Sequence, residues 1–113
     1  NYREKNNWSG DVSTIILPLL YMHGNLDMFR RYFRAFCYEQ NPWGNFNIMV
    51  PDGDDWSWFD HSFNLIIRLE EYCTISGDKE LAVELYPNVR RYLIFLEKYE
   101  NKDGIIAFVP YCY

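Results

Sequence analysis

The stretch Asp27-Met-Phe-Arg-Arg-Tyr-Phe-Arg-Ala-Phe-Cys-Tyr-Glu-Gln40 decides the fold class. Phe29, Phe33, Phe36 and Cys37 recur at i, i+4, i+7 and i+8, so they line one face of a helix with about 3.6 residues per turn. Arg30, Arg31 and Arg34 interleave with them on the other side and read as a solvated face rather than an anion site. Asp27 is a capping residue type, which sets the expected start of this helix, and its run extends to about Gln40.

Toward the N-terminus, Ser9-Gly10-Asp11 is a helix start, with Ser9 as cap and Asp11 in the acid-favouring first turn. Val12 to Met22 is apolar on most sides, so this helix is expected to be largely buried. Pro18 is expected to kink or shorten it, and Gly24 to end it. Toward the C-terminus, Asn41 to Asp55 is a loop by composition, with Asn-Pro, Trp-Gly and Pro-Asp-Gly-Asp-Asp. The same loop carries Trp, Phe, Ile and Met, so it must fold back onto the body of the protein.

A third helix is expected from about Trp58 to Ser76, with Phe63, Ile66, Ile67 and Cys73 on one face and Gly77 as its stop. Asp78 then caps a short helix, Lys79 to Leu85, and Pro87 suits the first turn of a fourth long helix. There Val89, Tyr92, Leu93, Leu96 and Tyr99 make the apolar stripe, with Arg90, Arg91 and Lys98 outside it. Asn101 to Gly104 is a turn, and Ile105 to Val109 a short strand or extended segment. Helix, short link, helix, long loop, helix, short link, helix describes an all-α class of stacked α-hairpins with the long loops at one end. No internal repeat of solenoid length is visible.

The chain has 113 residues, 49% apolar and 19% aromatic, which suits one packed domain and excludes a disordered tail. Its net charge of −5 leaves no basic excess to neutralise phosphates, so nucleic acid is excluded as the expected partner. The longest apolar run, Ile15 to Met22, is far too short to span a membrane, so no membrane partner is expected either. There is no initiator Met and no readable signal peptide, and both ends are abrupt, the C-terminal one apolar. The chain is therefore expected to be a piece of a larger protein. Cys37, Cys73 and Cys112 have neither disulfide nor zinc spacing, which slightly favours a reducing, cytoplasmic setting.

The carboxylates outside the helical periodicity are Glu4, Asp11, Asp52, Asp54, Asp55 and Asp60, and Trp8, Trp43, Trp56 and Trp58 lie among them. Indole rings cover the apolar C–H face of a sugar while carboxylates accept hydrogen bonds from its hydroxyls. The competing reading makes the tryptophans core and the aspartates helix caps. An EF-hand fails, because Trp56 and Phe63 occupy ligand places in the Asp52-Gly-Asp-Asp55 region. His23 and His61 lack a partner at metal spacing, so no metal or cofactor is expected; His61, beside Asp60, is the histidine to watch. Asn7-Trp8-Ser9 fits the N-glycosylation pattern. No phosphate-binding glycine loop or nucleophile elbow is present.

Arg3-Glu4-Lys5-Asn6-Asn7-Trp8-Ser9-Gly10-Asp11 resembles the Arg-Glu, spacer, Trp-x-Gly-Asp signature of bacterial α-L-rhamnosidases, glycoside hydrolase family 78. Met49-Val50-Pro51-Asp52, Trp58-Phe59-Asp60, Ser76-Gly-Asp-Lys-Glu-Leu81 and Tyr86-Pro87 agree in order and approximate spacing. The resemblance implies that residues 1–113 are the N-terminal part of an (α/α)6 catalytic barrel. It implies that Glu4 is the general acid, that Asp11 holds the rhamnose, and that Arg3 and Trp8 belong to the pocket wall. Trp58 would line the sugar site and Asp60 accept sugar hydroxyls. The implied reaction is inverting hydrolysis of a rhamnose-containing glycoside, with the general base supplied by the rest of the parent barrel, so the chain alone is expected to be inactive. Another six-hairpin glycosidase of glucosidase or debranching type, and a non-catalytic helical interaction module, remain as alternatives.

Overall fold

The computed structural model describes residues 7–51 and 57–107. The order is β1 (Asn7–Trp8), α1 (Ser9–His23), α2 (Leu26–Tyr38), β2 (Met49–Val50), α3 (Phe59–Ser76) and α4 (Lys79–Glu97). The all-α class holds, and among the described residues strand is limited to a two-residue antiparallel pair in which Asn7 faces Val50 and Trp8 faces Met49. Two α-hairpins stack, α1 packing along α3 and α2 against α4. The short links close on glycines in the left-handed conformation, Gly24 at φ 60° and Gly77 at φ 70°, where a side chain would be strained.

The core joins Ile16 and Leu20 of α1, Phe29, Phe33 and Phe36 of α2, Leu65, Leu69 and Tyr72 of α3, and Leu81, Leu85, Tyr92 and Phe95 of α4. The stripe expected on α2 is therefore the buried one, and Cys37 is buried beside it. Burial pushes the Cys37 thiol up to about 12, the behaviour of an inert core cysteine.

The loop after α2 does fold back. Phe46, Ile48 and Val50 are at most 1% exposed. Its backbone is held by buried amides: Asn41 Oδ1 accepts from the Gly44 and Asn45 N–H groups at 3.1 and 2.8 Å. Gln40 Nε2 donates to the Gly44 carbonyl at 2.7 Å, and Ser62 Oγ of α3 donates to the Phe46 carbonyl at 3.1 Å. The loop thus bridges the C-terminal end of α2 and the N-terminal end of α3, and delivers β2 to β1.

Several expectations are corrected. The N-cap of α2 is Asn25, whose side chain accepts from Met28 N–H, and Asp27 lies in the first turn. The arginines of α2 are not a plain solvated face: Arg30 clasps Asp78 at 2.7 and 2.8 Å, and Arg34 clasps Glu84 at 2.8 and 2.6 Å. α1 is capped at Trp8 rather than Ser9, and it is buried along one side only, with Ile15, Tyr21 and Met22 each at least half exposed.

On α3 the buried face is Ser62, Leu65, Leu69 and Tyr72; Phe63 and Ile67 point outward, and Ile66 and Cys73 flank the core. The expected stripe was rotated because Phe and Ile are found on both sides of this helix. Leu93 on α4 is likewise 48% exposed, and Leu81 and Leu85 extend the true stripe.

Pro87 does not open a new helix: α4 is continuous through it, as α1 is through Pro18. A proline strips the partner from the carbonyl four residues earlier. Those residues are Val83 and Thr14, both exposed, so water serves the freed carbonyls and the helices persist.

Candidate functional site

The N-terminal ends of α1 and α3 lie side by side at the end of the bundle that carries the long loop. Each is preceded by a tryptophan, Trp8 or Trp58, in extended conformation with no side-chain capping bond. Each has an aspartate in its first turn, Asp11 or Asp60. The four side chains line one open cleft of about 630 Å³, completed by Gly10, Thr14, His61 and Asn64. Residues separated by about fifty positions in the chain thus converge on a single surface.

Ser9, only 1% exposed, organises this junction. Its N–H and its hydroxyl both donate to the Ile48 carbonyl, at 2.8 and 3.0 Å, which ties the start of α1 to the inbound loop. Tyr32 Oη donates to the Ser9 carbonyl at 3.2 Å, and Ser9 Oγ lies 3.2 Å from His61 Nδ1. The His61 ring stands edge-on to Trp58, centroids 4.9 Å apart at 81°. Gly10 makes room for that ring, because a Cβ there would stand 2.5 Å from His61 Cε1. The glycine of the Trp-x-Gly-Asp run is therefore a packing requirement set by His61 across the helix pair.

Of the residues singled out in the sequence, Trp8, Asp11, Trp58 and Asp60 meet in the cleft. Arg3, Glu4, Asp52, Asp54, Asp55 and Trp56 lie outside the described residues. Trp43 does not line the cleft; it is half exposed in the turn whose Gly44 packs against Arg91 and Phe95. His23 sits in the last turn of α1, at the other end of that helix. In the Asn7-Trp8-Ser9 triplet the Ser9 hydroxyl is buried and already bonded, which removes it from a role in glycosylation of the folded chain.

Ser9, Gly10, Thr14 and Asn64 were not recognised from sequence. Ser9 reads as a cap and Gly10 as part of a helix start, and only the register between α1 and α3 gives them their partners. Among the described residues the buried indole N–H of Trp8 has no acceptor. Among the described residues no group of three His, Cys, Asp or Glu could hold a metal ion, and no helix is long and apolar enough to cross a membrane.

A second polar cluster, remote from the cleft, joins α2 to α4. Asp78 caps α4 through Leu81 N–H at 3.2 Å, accepts from Tyr72 Oη at 2.9 Å and is clasped by Arg30. The Arg30 hydrogen bonds hold its carboxyl well down, at about 2, with help from the helix N–H and Tyr72. Glu84 is held at about 2 by Arg34 and then by Tyr38. Every acceptor here is occupied by a partner on the neighbouring helix, so this cluster is a structural clasp.

Open carboxylates beside indole rings, with rigid helix starts beneath them, make a surface suited to a polyhydroxylated ligand. The family described as bacterial alpha-L-rhamnosidase 6 hairpin glycosidase domain matches residues 1–108. No curated protein and no solved structure matches the chain.

Proposed function

The chain belongs to the bacterial α-L-rhamnosidase six-hairpin glycosidase family, and from that premise we propose that it forms the acid-bearing side of a rhamnoside-hydrolysing site. In this reading Glu4 protonates the leaving glycosidic oxygen, Asp11 and Asp60 accept hydrogen bonds from rhamnose hydroxyls, and Trp8 and Trp58 cover the apolar face of the sugar. Arg3 joins the wall next to Glu4. What supports it is that Trp8-x-x-Asp11 and Trp58-x-Asp60, from two distant stretches, line the same cleft.

Inversion requires a second carboxylate about 6.5–9.5 Å from the acid to activate water. In this reading the base comes from outside these residues, and the chain by itself binds sugar without turning it over. The substrate is a terminal α-L-rhamnoside, and the chemistry needs no cofactor. A panel of p-nitrophenyl glycosides tests this with the full-length protein and its Glu4→Gln variant. Rhamnoside-selective turnover that the variant loses, with binding retained, is the expected result. Unchanged kcat in the variant would exclude Glu4 as the acid, and turnover of a glucoside instead would exclude rhamnose as the substrate.

A further inference from the structure

We propose that His61 is a sugar-binding residue of this cleft, its singly protonated ring held as the Nδ1–H tautomer so that Nε2 accepts a hydrogen bond from a hydroxyl of the bound rhamnoside. The proposal rests on the rhamnoside reading and deepens it.

The tautomer follows from the hydroxyl of Ser9. That hydroxyl has one proton, and it is donated to the Ile48 carbonyl at 3.0 Å. A serine oxygen that has spent its proton offers only lone pairs. His61 Nδ1, 3.2 Å away, is then the donor in that contact, and whenever the ring carries a single proton Nε2 is left as an acceptor. Turning the hydroxyl proton to His61 instead would leave Ser9 Oγ and the Ile48 carbonyl oxygen 3.0 Å apart with no proton between them, whereas an Nδ1–H supplies a proton to both contacts.

The ring is also fixed in place. Trp58 meets it edge-on, and Gly10 sits under its Cε1 edge with no side chain between. Nε2 has no hydrogen-bond partner among the described residues, and His61 borders the cleft with Asp60 and Asn64. Asp11 and Asp60, when ionised, also only accept. In the Nδ1–H form Nε2 adds a third acceptor to the cleft lining, suited to a ligand that brings several hydroxyl donors.

The test is NMR on protein labelled with 15N at histidine and tryptophan, titrated with L-rhamnose. At a pH where the ring carries a single proton, the free protein is expected to show a protonated Nδ1 and an unprotonated Nε2 on His61. Rhamnose is expected to shift the Nε2 resonance together with the indole signals of Trp8 and Trp58. His61→Asn keeps an N–H near the Nδ1 position for Ser9 but removes the acceptor; it is expected to weaken rhamnose binding about fivefold to tenfold, the worth of one hydrogen bond. His61→Gln, which again reaches the Nε2 position, is expected to recover part of that loss.

A free protein whose singly protonated His61 carries its proton on Nε2 would overturn the proposal. So would indole signals that move with rhamnose while Nε2 stays still, an outcome that leaves the rhamnoside reading intact. Silence of all three signals would remove the rhamnoside reading and this proposal together. Should His61→Asn fail to fold, the wild-type titration decides alone.

Discussion

Replacing Gly10 by alanine is the smallest change that strains the cleft. The added methyl would stand 2.5 Å from His61 Cε1 and 2.8 Å from Nε2. Ordinary contact begins near 3.4 Å, so the ring has to withdraw by roughly 0.9 Å. It is pinned on two sides, by Ser9 Oγ at 3.2 Å and by the Trp58 ring at a centroid distance of 4.9 Å. Overpacking of this kind costs about 1–3 kcal/mol, and the better helix propensity of alanine returns up to about 1 kcal/mol. A net loss of about 1–2 kcal/mol is expected, read as a lower midpoint in urea denaturation. His61→Ala removes the obstacle, and in that background Gly10→Ala should be neutral or stabilising. The coupling between the two sites should therefore be at least about 1 kcal/mol. If Gly10→Ala costs the same in both backgrounds, the contact between the two helix starts is not what makes the glycine necessary.

The other predictions concern the clasp and the core. Asp78→Ala removes the α4 cap and leaves Arg30 and Tyr72 without their shared acceptor, so it should cost about 3–5 kcal/mol in a denaturant titration. Glu80→Ala, whose carboxylate is 76% exposed at 3.3 Å from Arg30, should cost less than about 1 kcal/mol. Because the folded Asp78 carboxyl is held at about 2, below its unfolded value, its stabilisation is complete above the ordinary carboxylate range and is lost as pH falls toward 2. Acid unfolding of Asp78→Asn should accordingly show a shallower pH dependence between about 4 and 2. On α4, Leu96→Ala should lose about 2–4 kcal/mol and Leu93→Ala less than about 1, since Leu96 is 6% exposed and Leu93 48%.

How far the sequence could be read depended on how one-sided each helix is. α2 puts its Phe residues on one face and its arginines on the other, so its stripe was legible to the residue. α3 carries large apolar residues on both faces, and periodicity alone selected Phe63 and Ile67 instead of Leu65 and Leu69. Pro87 reads as a helix start because proline is best tolerated in the first turn. Its exposed place on α4 made a mid-helix proline acceptable, and exposure is a tertiary property. Of the cleft, Trp8, Asp11, Trp58 and Asp60 were legible through a family pattern. Ser9, Gly10 and the tautomer of His61 depend on the register of α1 against α3 and on where the loop delivers Ile48. No local signal in the sequence carries that register.

The central claim is that the two helix starts hold rhamnose between them. Calorimetric titration of L-rhamnose into the protein, its Asp60→Asn variant and its Asp11→Asn variant tests this directly, with Glu97→Gln on an exposed end of α4 as control. Each cleft variant is expected to bind at least about tenfold more weakly, the loss of a charge-assisted hydrogen bond, while the control binds as the wild type does. Equal affinity for all four proteins would contradict the account.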